Sequence, residues 1–569
     1  MASGESKFGS VAQRTFRERL SREILEVFDQ SFKKFTDVQV LSGTHLLNHS
    51  DVVVESPTGS GKTLSFLLPL FTILQKKKLQ KNEIGALILS PSRELATQIS
   101  KVALPYAEKL GLTVRTSTGG NKIEKDLKNF KEGSANILIA TPGRLYSMLE
   151  AERAHLVRCF RSLEVLIVDE ADRFSESQFE VALKDILASL PKQRRTGLFS
   201  ATQTKQYDEM ASFGLRNAKK VKVTHSEETV VPSSLNNFYT SCETSEKTLR
   251  CLEFIRQRPD KKFLIFYPSC SAVQYFHQIF TRCLTKRPLF RVFGKGLNVS
   301  QRATQIQKFS ESSNGVMLST DVMARGIDIS DIDWVIQFEL PKLSSWFIHR
   351  AGRTARCGRE GNALIIIGTE QLAYVNFVSQ HEKVALKEIS VPTSSARKAE
   401  ELRQKMIKIQ CSDRAILEAG TRAFVSHIEA YVKHDCNIVF FIDLDVVGLA
   451  NSYGLLRLPK MRELAQRKDL EKFDRSSIET STIKYADPKL EAGRESAMEE
   501  KHERKVSVLA EKAKKEKLKL AKKNKHKEQT KAPKRKADDS GDDIHSDIRL
   551  MKKIKKGKLS KQEIKNVLN

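Results

Sequence analysis

The sequence predicts an α/β protein with two parallel sheets in tandem, each flanked by helices, followed by a helical segment and a basic tail. Short β-rich runs alternate with longer polar, helix-forming stretches between about residues 50 and 225. The same rhythm restarts at about residue 236 and fades beyond about residue 380. Such alternation is typical of βαβ units, in which helices connect parallel strands. The restart therefore predicts a second domain of the same class.

The predicted strands can be read directly from the sequence. Those of the first domain are DVVVES, GALILS, VRTST, NILIAT, VLIVDE, TGLFSAT and KKVKV, and those of the second are NNFYTS, KFLIFYP, LFRVFG, GVMLST, WVIQFEL and GNALIIIG. The stretch HSEETVVPSS at 225–234 interrupts the pattern with polar, acidic and proline residues, which is typical of a domain boundary. We therefore predict domains at 1–228 and 229–384.

The C-terminal part differs in composition from both predicted sheets. RKAEELRQKMIKIQ and TRAFVSHIEAYVKH have apolar residues at helical spacing, which predicts a helical extension over residues 385–475. Residues 476–569 are predicted to form a basic, largely disordered tail, because 501–569 contain 24 Lys and Arg against 10 Asp and Glu. KAPKRKADD within it is typical of a nuclear-localisation cluster. Whether the tail anchors nucleic acid or only solubilises or localises the chain stays open.

The charge of the whole chain indicates a polyanionic partner. Its 569 residues include 97 Lys and Arg against 69 Asp and Glu, a formal net charge of +28, which favours nucleic acid over an anionic membrane surface. The longest apolar stretch, FLLPLFTIL, is far shorter than the roughly 20 residues that span a bilayer. The start lacks a secretory signal, and the eight cysteines form no CxxC pair. We expect a soluble intracellular protein with reduced thiols and no membrane partner.

A phosphate-binding loop is indicated by DVVVESPTGSGKTLSFLLPL, in which an apolar strand, a glycine-containing loop and an apolar helix follow one another. Glycines let backbone N–H groups approach phosphates, and the helix N-terminus favours negative charge. Lys62 would reach the terminal phosphates, and Thr63 would offer its hydroxyl to Mg²⁺. The predicted nucleotide-binding residues of this loop are Ser56, Thr58, Gly59, Ser60, Gly61, Lys62 and Thr63.

Two carboxylates follow an apolar strand in VLIVDEAD at 165–172. The carboxyl edge of a parallel sheet is where α/β proteins bind their ligands. Asp169 would hold the metal ion, and Glu170 would orient and activate an attacking water molecule. Together with the phosphate-binding loop upstream, this pair predicts a nucleoside triphosphatase.

A basic stretch without acidic residues, HRAGRTARCGR at 349–359, raises the question of which anion it binds. A solvated helix face is the alternative, although Gly352 would destabilise a helix interior by about 1 kcal/mol relative to Ala. The ordered series SPTGSGKT, PSRELA, TGG, TPGR, DEAD, SAT, STDVMARGID and HRAGRTARCGR resembles the DEAD-box ATP-dependent RNA helicases. The resemblance covers about residues 16–375 and implies two RecA-like domains, ATP and Mg²⁺ as cofactors, and RNA as partner.

The same resemblance implies the roles of individual residues. Arg353 and Arg356 would be arginine fingers that reach the γ-phosphate, and would be catalytic together with Lys62, Asp169 and Glu170. Phe16, Gln39 and Asp328 would complete the ATP site, with Gln39 reading the adenine edge. The residues expected to couple hydrolysis to RNA binding are Asp172, Ser200, Thr202, His349 and Arg350.

RNA contacts are expected at phosphates and 2′-hydroxyls, which would select RNA over DNA without reading base sequence. The residues implied are Pro91, Ser92, Arg93, Gly119, Gly120, Thr141, Pro142, Gly143, Arg144, Arg302 and Thr320. Ser56 stands at the first position of the phosphate-binding loop, where the general loop pattern has glycine, and the chain departs from the family pattern at Asp37, where proline is usual. Phe293 and Val299 likewise stand where the family often has histidine and glutamine.

The sequence of the predicted extension resembles that of one subgroup of the family. CSDRAILEAGTRAFVSHIEAYVKHDC and GLLRLPKM are similar to the extension of nucleolar DEAD-box proteins that act in large ribosomal subunit maturation. This similarity implies pre-ribosomal RNA as substrate, assembly factors of the large subunit as partners, and localisation in the nucleus and nucleolus. The expected activity is RNA-stimulated ATP hydrolysis with local, non-processive unwinding or ribonucleoprotein remodelling, carried out by a monomer. An ATP-gated RNA clamp or assembly scaffold, and a DNA translocase, are the alternatives.

Overall fold

The structure is a computed structural model in which the chain forms two compact units, Met1–Ala486 and Asp487–Asn569. The residues that it describes are 10–57, 59–80, 82–120, 122–132, 135–175, 177–200, 214–223, 234–294, 296–324, 329, 331–355, 359–391, 396–434, 444–465, 467–500 and 503–504. We call residues 10–223 the first lobe, 234–391 the second lobe and 396–486 the extension.

The first lobe is built on a sheet of seven parallel strands in the order β3-β4-β2-β5-β6-β1-β7. The strands are β1 Val52–Glu55, β2 Ala86–Leu89, β3 Val114–Ser117, β4 Ile137–Ala140, β5 Val165–Asp169, β6 Arg195–Ser200 and β7 Lys219–Lys222. Every residue of β2, β4 and β5 is buried, as expected for strands that are covered by helices on both faces.

Eight described helices belong to the first lobe. They are α1 Ser10–Arg19, α2 Arg22–Asp29, α3 Asp37–Leu47, α4 Lys62–Gln75, α5 Arg93–Lys109, α6 Ile123–Glu132, α7 Pro142–Cys159 and α8 Ser177–Ala188. Local sequence sets where two of them begin: the Ser92 hydroxyl caps α5 by accepting from Leu95 N at 3.3 Å, and Pro142 occupies the first turn of α7. Both helices therefore start directly behind a strand end, at the edge where ligands bind.

The second lobe repeats this architecture, with seven parallel strands in the order β10-β11-β9-β12-β13-β8-β14. Its strands are β8 Leu235–Cys242, β9 Phe263–Phe266, β10 Leu289–Val292, β11 Val316–Ser319, β12 Trp334–Gln337, β13 Gly361–Gly368 and β14 Lys387–Glu388. Its helices are α9 Lys247–Arg256, α10 Cys270–Cys283, α11 Val299–Glu311, α12 Ser345–Ala351 and α13 Ala373–Glu382. Numbered within each lobe, the strand order is the same, so the prediction of two tandem sheets of one class is confirmed.

The extension shares one core with the second lobe. It contains α14 Ala396–Ser412, α15 Arg414–Val432 and α16 Val446–Ser452. Met406, Phe424 and Tyr453 belong to the same buried cluster as the strands of the second sheet. Tyr275 of α10 stacks on Tyr453, with ring centroids 6.0 Å apart and planes inclined by 6°. The helical extension predicted from the sequence is therefore present, but it is not packed as a separate domain.

The first compact unit continues to Ala486, so the predicted end of the extension at residue 475 lies inside it. Arg414 holds the following segment in place: its backbone N–H donates to Lys484 O at 2.9 Å, and its guanidinium donates to Thr480 O at 3.0 Å. Ile483 is buried beside it. This segment has no helical or strand period, and residues distant in sequence fix it, so sequence pattern could not reveal that it is packed.

Residues 488–500 of the second unit are helical, and the basic cluster KAPKRKADD lies outside the described residues. Across the described part of the chain, no helix is both long enough and apolar enough to pass through a membrane.

Candidate active site

The phosphate-binding loop connects β1 to α4, as its sequence predicts. Gly59 and Gly61 have φ of +79° and +91°, which residues with a Cβ rarely adopt. The Lys62 ammonium donates to the carbonyl oxygens of Ser56 at 2.6 Å and Pro57 at 3.0 Å. Burial lowers the pKa of Lys62, and the carboxylates of Glu170 and Asp169 oppose that shift. The lysine is thus held in the loop by weak acceptors that a phosphate could replace. Thr58 lies outside the described residues.

A cavity of about 540 Å³ opens above this loop. Gly59, Gly61, Lys62, Thr63, Asp169, Glu170 and Arg353 are among the residues that line it. Six of these come from the first lobe, whereas Arg353 comes from the second. Its volume suits a nucleotide-sized ligand, since small-molecule sites usually measure about 300–1,000 Å³. Strand ends distant in sequence thus meet around one cavity, and the roles of these residues stay predictions.

Gln39 lies beside the loop, at the start of α3. Its Oε1 accepts from Thr36 N at 2.9 Å, and its Nε2 donates to Gly61 O at 3.3 Å. The side chain is 3 % exposed. A capping interaction thus fixes the amide against the phosphate-binding loop, although Asp37 replaces the usual proline.

Phe16, predicted to complete the ATP site, is placed elsewhere. Its ring is 1 % exposed, packs edge-on against Phe35 at a centroid distance of 5.2 Å, and leaves no room for a side chain on Gly43. Among the described residues, Phe32 is the aromatic residue of this region that lines the cavity, and it is 47 % exposed. We therefore replace Phe16 by Phe32 as the ring available to a base. Sequence distance does not single out Phe32, because Phe35 is closer to Gln39 but is buried against Phe16.

Asp169 and Glu170 lie where β5 ends, with exposed fractions of 4 % and 5 %. Burial, together with the neighbouring charge of Glu170, raises the pKa of Asp169 to about 7. Glu170 has a φ of +51°, and its Oε2 is buried without a hydrogen-bond partner among the described residues. A carboxylate oxygen that faces a cavity and is free of protein donors is available to a water molecule.

The two lobes meet beside these carboxylates. Asp172 accepts from the Ser200 hydroxyl at 2.9 Å, and its other oxygen lies 3.1 Å from His349 Nε2 of the second lobe. Arg350 forms a two-pronged ion pair with Asp321 at 2.6 and 3.0 Å. The predicted coupling residues Asp172, Ser200, His349 and Arg350 are thus brought together. Thr202, Asp328 and Arg356 lie outside the described residues.

Arg353 follows α12 and reaches the cavity from the second lobe. Its Nε donates to the carbonyl oxygen of His349 at 3.2 Å, so the residue that contacts Asp172 also orients this arginine. Arg173 of the first lobe lies 5.4 Å from the centroid of Trp346 in α12. The arginine-rich stretch therefore faces the other lobe, and the anion that it would meet is a nucleotide bound there. Arg359 instead pairs with Asp331 of its own lobe.

A second group of predicted residues lies at the carboxyl ends of β2, β3 and β4. Arg93 lies close to Gly120: a Cβ added to Gly120 would be 2.6 Å from the Arg93 guanidinium. Burial, and then the charge of Arg302, lowers the pKa of Arg93. Arg144 donates to Thr118 O and contacts Asp126, both at 3.2 Å. Pro91 and Ser92 precede α5, Gly119 adjoins Arg93, and Thr141, Pro142 and Gly143 form the start of α7.

Arg302 and Thr320 belong to the second lobe. Arg302 lies 2.9 Å from Glu94 of the first lobe, with side-chain exposures of 4 % and 9 %. Thr320 follows β11 and is 8 % exposed. Arg302 therefore joins the lobes directly, an interaction that sequence reasoning did not anticipate; its contact with RNA stays a prediction.

Gly61→Ala is expected to weaken ATP binding by about tenfold or more. An added Cβ would lie 2.6 Å from Gln39 Nε2, and the φ of +91° disfavours any side chain, so the loop must shift where phosphates approach. Titration with a fluorescent ATP analogue measures the affinity. Gly111→Ala is the matched control, because its φ is also positive, at +66°, but nothing lies within 4 Å of the added Cβ. Equal affinities for the two variants would contradict the prediction.

The family models match three consecutive parts of the chain. The DEAD/DEAH box helicase model matches residues 36–210, the helicase conserved C-terminal domain matches 246–358, and the model of the ATP-dependent rRNA helicase SPB4-like C-terminal extension matches 413–461. The first two matches lie within the two lobes, and the third lies within the extension.

Curated relatives match over almost the whole chain. A probable ATP-dependent RNA helicase DDX55 homolog of Caenorhabditis briggsae is 64 % identical over 576 residues, covering 99 % of this chain and 100 % of the relative. The ATP-dependent RNA helicase DDX55 of Homo sapiens is 37 % identical over 564 residues, covering 94 % and 92 %.

Solved structures show the same fold. The DEAD-box helicase Mss116 bound to ssRNA and UDP-BeF has a TM-score of 0.73 at 23 % identity, covering 82 % of this chain and 97 % of that one. S. cerevisiae Dbp5 bound to RNA and ADP BeF3 has a TM-score of 0.58 at 22 % identity, covering 68 % and 98 %. With the site geometry and the relatives above, these findings show that the chain belongs to the DEAD-box ATP-dependent RNA helicases and carries an SPB4-like C-terminal extension.

Proposed function

We propose that this helicase acts on pre-ribosomal RNA during maturation of the large ribosomal subunit, in the nucleolus, together with assembly factors. The match of residues 413–461 to an extension named for an rRNA helicase carries this proposal. The extension shares a hydrophobic core with the second lobe, so it is an integral part of the folded helicase. The helicase would act as a monomer, with domains at 1–228 and 229–384 and the extension continuing to about residue 486.

Glu170 is the proposed base for ATP hydrolysis. Its free Oε2 would accept a proton from a water molecule that attacks the γ-phosphate, while Lys62 holds the terminal phosphates. Arg353 would stabilise the charge that develops on the transferred group, with Arg356 as its proposed companion. An arginine finger is worth about 10³–10⁵ in rate. Because Arg353 enters from the second lobe, hydrolysis requires the closed arrangement of the lobes.

The cavity also suits Mg²⁺. Thr63 and Asp169 line the same cavity, and Mg²⁺ prefers hard oxygen ligands such as their hydroxyl and carboxylate groups. Burial raises the pKa of Asp169 to about 7, and a bound cation would stabilise its charged form. When bound, Mg²⁺ supplies positive charge to the β- and γ-phosphate oxygens. Thr63 and Asp169 are the residues proposed to hold it.

RNA would bind along the arginines at the carboxyl ends of the first sheet. Arg93 and Arg144 have the charge for phosphates, and the glycines beside Arg93 leave room for its guanidinium. Both lobes contribute, so closure would bend one strand and open a few base pairs. Each base-pair step is worth about 1.4 kcal/mol by the DNA estimate, so the action is local.

An ATP-gated clamp on RNA is the second candidate, and the contacts between the lobes favour it. His349 with Asp172, Arg302 with Glu94 and Arg173 with Trp346 all join the lobes. A closed state that is held at three points could retain RNA until ATP is hydrolysed, with unwinding incidental.

Two measurements test the proposal. Steady-state ATP hydrolysis should be stimulated by RNA and not by DNA of matched length and sequence. In-cell crosslinking should concentrate on precursor RNA of the large ribosomal subunit. Equal stimulation by DNA would support the translocase alternative, and crosslinks spread over messenger RNAs would overturn the ribosomal assignment.

A further inference from the structure

A buried polar cluster joins the extension to the arginine-bearing segment of the second lobe. Its centre is Glu339, which follows β12 and is 2 % exposed. Lys247 of α9 donates to Glu339 Oε2 at 2.7 Å, and Gln371 donates to Oε1 at 3.0 Å. His427 of α15 places its Nε2 3.2 Å from Oε2. The extension thus supplies one of the partners of a carboxylate that lies inside the second lobe.

His427 is fixed on its other side by a residue of the extension. Its Nδ1 lies 2.7 Å from the hydroxyl of Tyr453. A neutral imidazole donates at one nitrogen and accepts at the other. With Nδ1 accepting from the Tyr453 hydroxyl, Nε2 carries the proton and faces Glu339 Oε2 at 3.2 Å, an electrostatic contact without hydrogen-bond geometry. The imidazole is 0 % exposed, so its orientation is set by these two partners.

Glu339 is connected in turn to the catalytic segment. Its backbone carbonyl oxygen accepts from Arg350 at 3.1 Å. Arg350 lies in α12 next to His349, which contacts Asp172 of the first lobe, and Arg353 donates to the carbonyl oxygen of His349. The carboxylate also accepts from the backbone N–H of Leu340 at 3.0 Å, so a change in its orientation would reach the backbone that Arg350 contacts and, through α12, the position of Arg353.

The charges around Glu339 show what His427 contributes. Burial alone would raise the pKa of Glu339, but Lys247 and His427 outweigh it and hold the pKa well below its ordinary range. Lys247 and Gln371 hold the carboxylate by hydrogen bonds, and His427 adds a favourable electrostatic contact to Oε2 from the side of the extension. Of the contacts described, this one crosses from α15 to the loop that leads into α12.

We propose that His427 is a positioning residue for ATP hydrolysis, through which the extension orients Glu339, Arg350 and hence Arg353. The inference rests on the proposed role of Arg353 at the γ-phosphate. The phosphate-binding loop belongs to the first lobe and does not touch this cluster. Loss of the His427 contact should therefore lower kcat and leave the RNA-independent affinity for ATP unchanged.

The test compares full-length His427→Leu and His427→Gln. Leucine fills most of the space without a donor, whereas glutamine keeps an N–H that can reach Glu339. With generic single-stranded RNA at saturation, below the melting temperature of every variant, we expect kcat to fall about tenfold for His427→Leu and to stay within about threefold of the parent for His427→Gln. Ser426→Ala is the matched control, because Ser426 makes a neighbouring contact from α15 to Ser269 at 2.6 Å. It should match the parent.

Equal kcat values for the leucine and glutamine variants would overturn the inference, as would parental kcat in a His427→Leu protein that is only less thermostable. If His427→Leu fails to fold, Tyr453→Phe takes its place, because it removes only the hydroxyl behind the imidazole. Its kcat should fall about threefold, and parental kcat would overturn the inference. The comparison uses generic RNA and ratios to the parent, so its outcome is independent of whether ribosomal RNA is the substrate.

Discussion

Glu170→Gln is expected to reduce RNA-stimulated ATP turnover by a factor of about 10²–10⁴, the range for loss of a general base. The amide has the volume of the carboxylate but cannot accept the proton of the attacking water. Oε2 of Glu170 is buried at the cavity and has no hydrogen-bond partner among the described residues, so the substitution disturbs little else. Steady-state hydrolysis with saturating RNA measures the effect, and titration shows whether ATP still binds.

Glu180→Gln is the matched control for that experiment. The same carboxylate-to-amide change is made here on α8, at a surface residue that pairs with Lys184. This control should hydrolyse ATP at the parental rate. Parental turnover by Glu170→Gln would show that another group activates the water. If Glu170→Gln holds RNA tightly only when ATP is present, the clamp candidate gains support, because binding would then persist without hydrolysis.

Removal of residues 396–569 is expected to prevent the second lobe from folding. The truncated chain would lose Met406, Phe424, Ile428 and Tyr453 from the core that they share with the second sheet. Burial of a large apolar side chain contributes about 1.5–3 kcal/mol, so these losses together approach the whole stability of a typical domain. Glu339 would also lose the imidazole of His427. We expect insoluble protein, or a chain in which the second lobe is cleaved by protease.

The control for the truncation ends at Ala486. It removes only the second compact unit and keeps the whole extension. Its melting temperature, measured by circular dichroism, should equal that of the parent. A soluble chain ending at residue 395 with an unchanged, protease-resistant second lobe would contradict the shared core and show that the extension is only attached to the surface.

Local patterns explain what could be predicted from the sequence. The strand, loop and helix around Lys62 are continuous in the chain, and parallel strands bring their carboxyl ends to one edge, so Asp169 and Glu170 were placed correctly beside the loop. The role of the arginine stretch was implied by the family resemblance, and the contact of Arg353 with the γ-phosphate stays a prediction. The placement of Asp169 and Glu170 needs only periodicity, glycine positions and sheet topology.

Long-range packing explains what was missed. β14 has two polar residues, Lys387 and Glu388, and becomes a strand only because it pairs with β8. Phe16 and Phe32 are both aromatic residues upstream of Gln39, and only packing shows which ring is free. Lys247, Glu339 and His427 are far apart in sequence, so no spacing rule links them. In each case a tertiary contact decides the role of a residue whose local sequence is uninformative.

The identical strand order of the two sheets has a consequence for how many nucleotides the enzyme can hold. Lys62 opens the helix after the first strand of its sheet, and Lys247 opens the corresponding helix of the second sheet. Asp169 and Glu339 both stand at or just beyond the fifth strand of their sheets. The second lobe thus retains an internal copy of the lysine and carboxylate pair that faces the 540 Å³ cavity in the first.

In the second lobe, this lysine and carboxylate bind each other instead of facing a large cavity. The Lys247 ammonium lies 2.7 Å from the Glu339 carboxylate, which His427 also contacts. The cavity beside Glu339 measures only about 30 Å³. There is space for about one water molecule and none for a phosphate chain. The duplicated architecture is therefore used unequally: the first sheet carries the phosphate-binding loop, and the second sheet presents Arg353 to the same cavity.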